Sequence, residues 1–485
     1  MILLTLLYAI SALLLALYTI GHGVLLMQYL RHRQRPSPTP PLPHTDWPIV
    51  TVQLPIYNER YVALRVIDAV ARLDYPPQCL YIQILDDSTD ATTTLIAAHI
   101  RQYPYLHIEH VRRPSRDGYK AGALAYGLHL TDAPYLAIFD ADFVPAPDFL
   151  RRTMPHLLAE SELAVVQTRW GHLNPDANGL TRAQVISIDN HFIIEQAGRN
   201  DSGWFVPFNG TGGIWRKQAI IDAGGWSDDT LTEDLDLSFR AQLRGWRARY
   251  LPQIVVPGEL PPQLAAYRQQ QARWAQGGSQ SARKLLRALW SADLPLMTRW
   301  MATHHLMQYV PHLLMLVMLM LSPWLIRAGT LGSLPLAPLG IIGLIPPLMY
   351  GISQQALGGA WGRRLLAFPI LLLLGTGLIW KNALAVVRGL LIRKGEFRRT
   401  PKFSTDWHNK HYTLPGQSAI IVQVALLIYS LWGAWIAYQH LPALVPYFIV
   451  HVLAFAMVAL WDVRDQRRIG RMMSRPALLP EYGND

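Results

Sequence analysis

The stretch YLAIFDADF, residues 135–143, decides how this chain is read. A short apolar run closes on two carboxylates, Asp140 and Asp142, at alternate positions. That is the pattern of a buried strand whose carboxyl end meets a ligand. Two carboxylates so placed can bind a hard divalent cation, Mg2+ or Mn2+, which keeps waters and takes phosphate oxygens as its other ligands. Asp also favours the turn that follows a strand, so the pair alone reads equally as structure.

Working outward, IVTVQLPIYN (49–58), YIQILDDST (81–89), LHIEHVRR (106–113) and LAVVQTRW (163–170) repeat the pattern, with helical stretches between them. From Trp47 to about Arg287 the chain therefore predicts an α/β domain with a parallel sheet. Strand-end residues are its candidate ligands. Asp86 and Asp87 can hold a base or ribose, and Asp, Ser and Thr there can equally form a turn. LPIYNER contributes Pro55, Tyr57 and Asn58, which can stack on or bond a base, and Glu59, which opens a helix. In DGYKAGAL, Lys120 suits a phosphate or a nucleotide carbonyl. Together these residues describe a nucleotide-diphosphate site.

The surrounding sequence adds a membrane. Of 485 residues, 51% are hydrophobic and 16% charged, and the apolar ones gather in long uncharged runs. Residues 1–30 carry no Lys, Arg, Asp or Glu and can cross a hydrocarbon layer of roughly 30 Å. RHRQR follows at once, which predicts a retained anchor with its C-terminal side in the cytoplasm. Six prolines, Pro36, Pro38, Pro40, Pro41, Pro43 and Pro48, make residues 31–48 a stiff linker to a catalytic domain at 49–290. Beyond it a membrane domain, 291–463, precedes a cytoplasmic tail, 464–485. Four spans are expected near 303–327, 335–353, 416–437 and 442–462. The block 364–395, with Lys381 and Arg388 on one face, is expected to lie along the membrane interface, because a fifth crossing would put the basic segments IRKGEFRRTPKF and RDQRRIGR outside. The 44 basic and 33 acidic residues give +11, yet much of the excess flanks apolar runs, so no nucleic-acid partner is expected. The lone Cys79 excludes an intramolecular disulfide and a cysteine-based zinc site.

Two further stretches bear on catalysis. LTEDLDLSFRAQLRGW, 231–246, places Glu233, Asp234 and Asp236 just after Thr232. Thr232 predicts a helix cap, with acids in the first turn meeting the positive end of the dipole. QQQARW supplies Gln270, Arg273 and Trp274, where Trp can stack on a sugar and Arg can steady a diphosphate; an amphipathic helix anchored at the membrane is the other reading.

The order LPIYNE, LDDSTD, GYKAGAL, FDADF, FNGTGGIWR, LTEDLDL, QQQARW resembles the family 2 glycosyltransferases, particularly the membrane-embedded branch of cellulose, hyaluronan and mannan synthases. The resemblance covers residues 47–290 and extends to FRRTPK at 397–402. It implies a GT-A fold inserted between transmembrane helices, with Asp87 and Asp140 on the nucleotide and Asp140 and Asp142 on the metal. It implies that Asp234 is the general base, which suits a hydroxyl that must lose its proton as it attacks an anomeric carbon. Asn209, Gly210, Glu233, Gln270, Arg273 and Trp274 would then meet the acceptor. Phe397, Thr400 and Lys402 match a gating loop in which Arg399 replaces a valine. The implied activity is inverting, processive hexosyl transfer from GDP-mannose, GDP-glucose or UDP-glucose to a β-linked mannan, glucomannan or glucan passed across the lipid bilayer. The alternative is a glycolipid synthase acting on a lipid-borne acceptor.

Overall fold

The computed structural model describes residues 1–34, 40, 46–335, 337–392 and 419–473. Seven strands form one sheet: β1 (Val50–Ile56), β2 (Leu80–Asp86), β3 (His107–Val111), β4 (Tyr135–Ile138), β5 (Leu163–His172), β6 (Gly213–Arg216) and β7 (Arg247–Gly258). Their order is β3-β2-β1-β4-β6-β5-β7. Central β1 is buried on both faces, Val50, Val52 and Leu54 as well as Thr51 and Gln53, as a strand covered by helices on both sides must be. Edge strand β3 instead exposes His107 and Glu109.

Helices cover both faces. In Ala63–Ala71, Ala63, Val66, Ile67 and Val70 repeat at the spacing of one helix face and pack with Phe149, Leu150 and Met154 of Phe149–Ala159. On the other face, Leu124 and Leu128 join Ile220 and Leu237.

The sheet is mixed, which corrects the expectation of parallel strands throughout. β6 runs antiparallel to both β4 and β5. The reason is local: the turn before β6 sits at the carboxyl end of β4, where the Gly212 N–H donates to the Ile138 carbonyl at 2.9 Å. A strand that starts where its neighbour ends must run the other way.

Among the described residues, four helices are long and apolar enough to cross a membrane: Ile2–His32, Val310–Arg327, Ile420–His440 and Pro442–Arg467. The expected span at 335–353 differs. It is two short helices, Ala337–Ile342 and Ile345–Ala356, and the 12-residue second one rises only about 18 Å. Pro346 and Pro347 at its start lack the N–H groups that would continue the preceding turn. The 364–395 block is also not one helix. Trp361–Gly377 and Ile379–Leu391 meet at a 50° bend, and together they are long enough to count as one broken span. At the bend, the buried Gln423 amide donates to the Gly377 carbonyl at 3.0 Å, which restores a partner to backbone released from the ladder.

These helices are stitched to the α/β domain. Leu26 and Tyr29 of the first helix pack on Phe192, Ile194 and Val206. Arg268 pairs with Asp462 of the last helix, both buried. The C-terminal end of Ile379–Leu391 reaches the long helix Leu264–Ser291, whose Arg283 and Gln280 donate to the carbonyls of Leu390 and Ile392.

Candidate active site

The carboxyl ends of β1, β2, β4, β5 and β7 open on a cleft of about 1300 Å³. Pro55, Tyr57, Glu59, Asp87, Lys120, Asp140, Asp142, Asn209, Gly210, Glu233, Asp234, Gln270, Arg273 and Trp274 all line it. Asn58 does not. It takes a left-handed backbone (φ 54°), donates its N–H to Ser88 Oγ at 2.9 Å and accepts from the Thr89 N–H at 2.8 Å. Its role is to clamp the loop after β1 to the loop after β2, which holds Tyr57 and Asp87 at one end of the cleft. Asp86 is also structural: it is buried and accepts from the Ser88 N–H while contacting His110 at 2.9 Å.

Asp87 receives the Arg113 guanidinium as a fork, Nε at 2.7 Å and Nη2 at 2.6 Å. Beside it the Arg116 guanidinium lies 3.3 Å from the centre of the Tyr57 ring. An aromatic ring, an arginine plane and an anchored carboxylate stand together at one mouth of the cleft, where a planar ring could stack.

At the centre, Lys120 stands in the first turn of Tyr119–His129, entered through Gly118 in a left-handed conformation. Its ammonium is 2.6 Å from Asp140 Oδ1 and 3.7 Å from Glu233, and it donates to the Gly210 carbonyl at 2.8 Å. Burial works against the charge, but Asp140, Glu233 and Asp234 outweigh it and raise the Lys120 pKa. Asp234 approaches the same glycine. A Cβ at Gly210, where φ is +82°, would come within 2.8 Å of Asp234 Oδ2 and 3.3 Å of Lys120 Nζ. A side chain there would meet both groups from a left-handed backbone, which glycine avoids. Burial and the neighbouring Glu233 push the Asp234 carboxyl up to about 7, against the pull of Lys120, the Leu235 N–H and Arg273.

Thr232 does not cap the helix Glu233–Leu243, contrary to expectation: its side chain makes no capping bond. Its hydroxyl meets Ser281 Oγ at 3.2 Å, because Leu264–Ser291 presses against it. A Cβ at Gly277 would lie 2.6 Å from Thr232 Cγ2. This approach brings Gln270, Arg273 and Trp274 opposite Asp234. Glu233 is buried beside Lys120 and so is more than a helix-start acid. Asp236 is structural, fully buried between Arg240 at 2.8 Å and Lys284 at 2.9 Å.

A second cavity of about 1080 Å³ shares Asn209, Asp234, Gln270 and Trp274 with the first and continues between Tyr267, His305, Gln308, Tyr309 and Tyr350, toward the membrane helices. Asp234 therefore stands at the junction of two cavities.

Residues 48–277 match the family described as "Glycosyltransferase like family 2". They form a family 2 glycosyltransferase domain. A glucomannan 4-beta-mannosyltransferase of Oryza sativa subsp. japonica is 43% identical over 264 residues, 53% of this chain and 51% of the relative. One of Arabidopsis thaliana is 44% identical over 248 residues, 50% of this chain and 46% of the relative. The chain spans about half the length of these curated relatives. A mannosyltransferase from Pyrobaculum calidifontis, solved in complex with GDP-Man and Mn2+, aligns over 80% of this chain and 100% of its own with a TM-score of 0.55 at 22% identity. That likeness shows the shared GT-A-like fold.

A divalent ion at Asp140 and Asp142 would draw its remaining ligands from a diphosphate and water. Asp140 and Asp142 both reach the cleft, but no group of three His, Cys, Asp or Glu side chains among the described residues could hold a metal. Two carboxylates plus diphosphate oxygens and waters satisfy a hard octahedral cation, so the donor set fits. Sequence reasoning missed Arg116, Tyr119, Trp170, His172 and Glu259, which also line the cleft of the glycosyltransferase domain. Trp170 and His172 end β5, and Glu259 follows β7; the strand-end rule that found Asp140 reaches them too. Phe397, Thr400 and Lys402 lie outside the described residues.

Proposed function

We propose that this chain is an inverting, processive hexosyltransferase that moves mannose from GDP-mannose to a growing β-1,4-linked mannan or glucomannan and passes the product across the membrane. The observation that carries the reading is Asp234: a carboxyl pushed up to about 7 stands where the carboxylate-lined cleft meets a second, aromatic-lined cavity. The likeness to glucomannan 4-beta-mannosyltransferases supports mannosyl transfer, and the GDP-Man and Mn2+ in the Pyrobaculum calidifontis mannosyltransferase support the donor and the ion.

In this mechanism the Tyr57–Arg116 platform and Asp87 hold the nucleotide, and Asp140 and Asp142 hold the cation. A cation held by these two carboxylates would supply charge neutralisation of the diphosphate leaving group. Trp274 stacks on the acceptor sugar, and Gln270 and Asn209 bond its hydroxyls. Asp234 takes the proton as the acceptor oxygen attacks the anomeric carbon and the bond to the diphosphate breaks. A base with a pKa near the working pH is efficient because it is both ionised and basic. One base and one displacement invert the anomeric centre; a retaining route would need a second carboxylate as nucleophile.

The catalytic domain lies on the cytoplasmic side in this reading, supported by RHRQR immediately after the first helix. The bent pair then serves as the crossing that 335–353 does not make, which keeps four crossings after the catalytic domain. The test is a donor screen with purified full-length protein in detergent and Mn2+ or Mg2+, with the product digested by linkage-specific hydrolases. A product from GDP-mannose cut by β-1,4-mannanase is expected. Transfer of one sugar to lipid, or no turnover of any nucleotide sugar, overturns the reading.

A further inference from the structure

Asn209 sits in both cavities, and its amide is held by a network of Gln196, His191, Glu195 and Arg199, of which His191 and Glu195 also line the second cavity. The orientation of every group in that network follows from one backbone carbonyl. Gln196 Nε2 donates to the Pro207 carbonyl at 3.0 Å, which a carbonyl oxygen can only accept, so this end of Gln196 is its NH2. The same Nε2 lies 2.7 Å from Asn209, which must therefore present Oδ1. Asn209 Nδ2 then faces His191 Nε2 at 3.1 Å, and because Nδ2 can only donate, His191 Nε2 accepts. The ring proton is left on Nδ1, 3.3 Å from Glu195 Oε2. Glu195 is fixed in turn by Arg199 at 3.5 Å, a guanidinium that is 1% exposed.

The backbone explains how two side chains reach one amide. His191 and Gln196 are five residues apart. In an α-helix such residues point about 140° apart, since each residue turns about 100°. Here His191–Gln196 is a π-helical turn, whose wider turn brings residues i and i+5 closer to one face. The turn departs from the α-helix just where both residues must converge on Asn209.

We infer that His191 and Gln196 are positioning residues for the acceptor, which hold the Asn209 amide so that it offers one N–H and one oxygen lone pair to a sugar hydroxyl beside Asp234. A hydroxyl both donates and accepts, so a locked amide with one free site of each kind matches it, whereas a freely rotating amide presents the wrong end half of the time. His191 touches neither the nucleotide platform nor Asp140 and Asp142, so its effect falls on acceptor use. The inference rests on the second cavity being the acceptor path.

The test uses full-length protein in detergent with GDP-mannose, Mn2+ and mannotetraose, and compares His191→Phe with His191→Gln. Phenylalanine keeps the ring and removes both bonds. Glutamine can accept from Asn209 with its carbonyl and donate to Glu195 with its NH2. His191→Phe is expected to lower kcat/KM for mannotetraose at least tenfold, while hydrolysis of GDP-mannose by water stays within twofold of wild type. His191→Gln is expected to restore transfer to within threefold. Unchanged transfer in His191→Phe, an equal fall in hydrolysis, or a glutamine variant as impaired as phenylalanine overturns the inference. If wild type turns over no GDP-mannose, the donor reading fails by itself, and mannotetraose binding followed by tryptophan fluorescence decides the positioning role. A tenfold weaker His191→Phe complex supports it; equal binding, or no binding to wild type, sinks it.

Discussion

The pKa of Asp234 is a balance of charges, and changing two of those charges should move it in opposite directions. One point in space lies 2.8 Å from Asp234 Oδ2 and 3.3 Å from Lys120 Nζ, so the two charges are at most about 6 Å apart. At an effective dielectric constant of about 20, opposite charges at that separation attract by on the order of 3 kcal/mol, or about two pH units. Lys120 lowers the Asp234 pKa and Glu233 raises it. Transfer needs the ionised carboxylate, so activity rises with pH through a value near 7. Lys120→Met should shift that limb upward by about two pH units, with an on the order of fifty-fold loss at pH 7 that recovers above pH 9. Glu233→Gln should shift it downward. The assay is kcat/KM for mannotetraose at saturating GDP-mannose from pH 5.5 to 9.5, with GDP affinity measured separately to isolate any loss of donor binding. Profiles that fall uniformly without moving, or that move in the same direction in both variants, would refute the assignment of the limb to Asp234.

Asp234→Asn should abolish transfer and yet stabilise the protein. The folded-state pKa of about 7 lies above the unfolded value near 3.9, so folding loses stability as pH rises from about 4 to 7. Thermal unfolding should show the variant ahead by on the order of 1–3 kcal/mol at pH 8 and level with wild type below pH 4. Gly210→Ala should lower transfer at least tenfold while GDP affinity holds, because its Cβ meets Asp234 Oδ2 at 2.8 Å and left-handed backbone costs a residue other than glycine about 1–2 kcal/mol; transfer within twofold of wild type would count against the close approach. Arg268→Ala should destabilise by about 3–5 kcal/mol because it leaves Asp462 buried and unpaired, and Arg268→Ala with Asp462→Ala should recover much of that loss in the same melting experiment.

How much of this was legible in the sequence depended on whether a residue's role was local. Asp140, Asp142, Asp87 and Tyr57 ended apolar β-rich runs, and a strand end in an α/β sheet is a position with chemical meaning. β6 was not legible as antiparallel, since four residues, GIWR, carry no periodic signal and their direction follows from contact with β4. Thr232 and Asn58 were misread for the same reason. A threonine before three acids predicts a cap, but the press of Leu264–Ser291 redirects its hydroxyl to Ser281. An asparagine after a strand predicts a ligand contact, but the neighbouring loop claims its amide. The 335–353 block had the apolar composition of a span and lacked its continuity, and Pro346 and Pro347 were the visible signal.

The helix Leu264–Ser291 ties the cleft to the long apolar helices. It places Gln270, Arg273 and Trp274 at the cleft, presses Gly277 and Ser281 against the residue before Glu233, and ties Arg268 to Asp462 in the last membrane helix. Its Gln280 also accepts the Leu231 N–H at 2.9 Å, two residues before Glu233, and donates to the Ile392 carbonyl at 3.3 Å. One side chain therefore joins the segment that positions Asp234 to the end of Ile379–Leu391. A displacement of that helix must move or break the Gln280 bond, and the loop that leads into Asp234 is the element it would disturb. The segment that carries Asp234 is thus held by residues whose other partners lie at the end of Ile379–Leu391 and in the last helix, so a shift of either helix reaches the cleft through Leu264–Ser291.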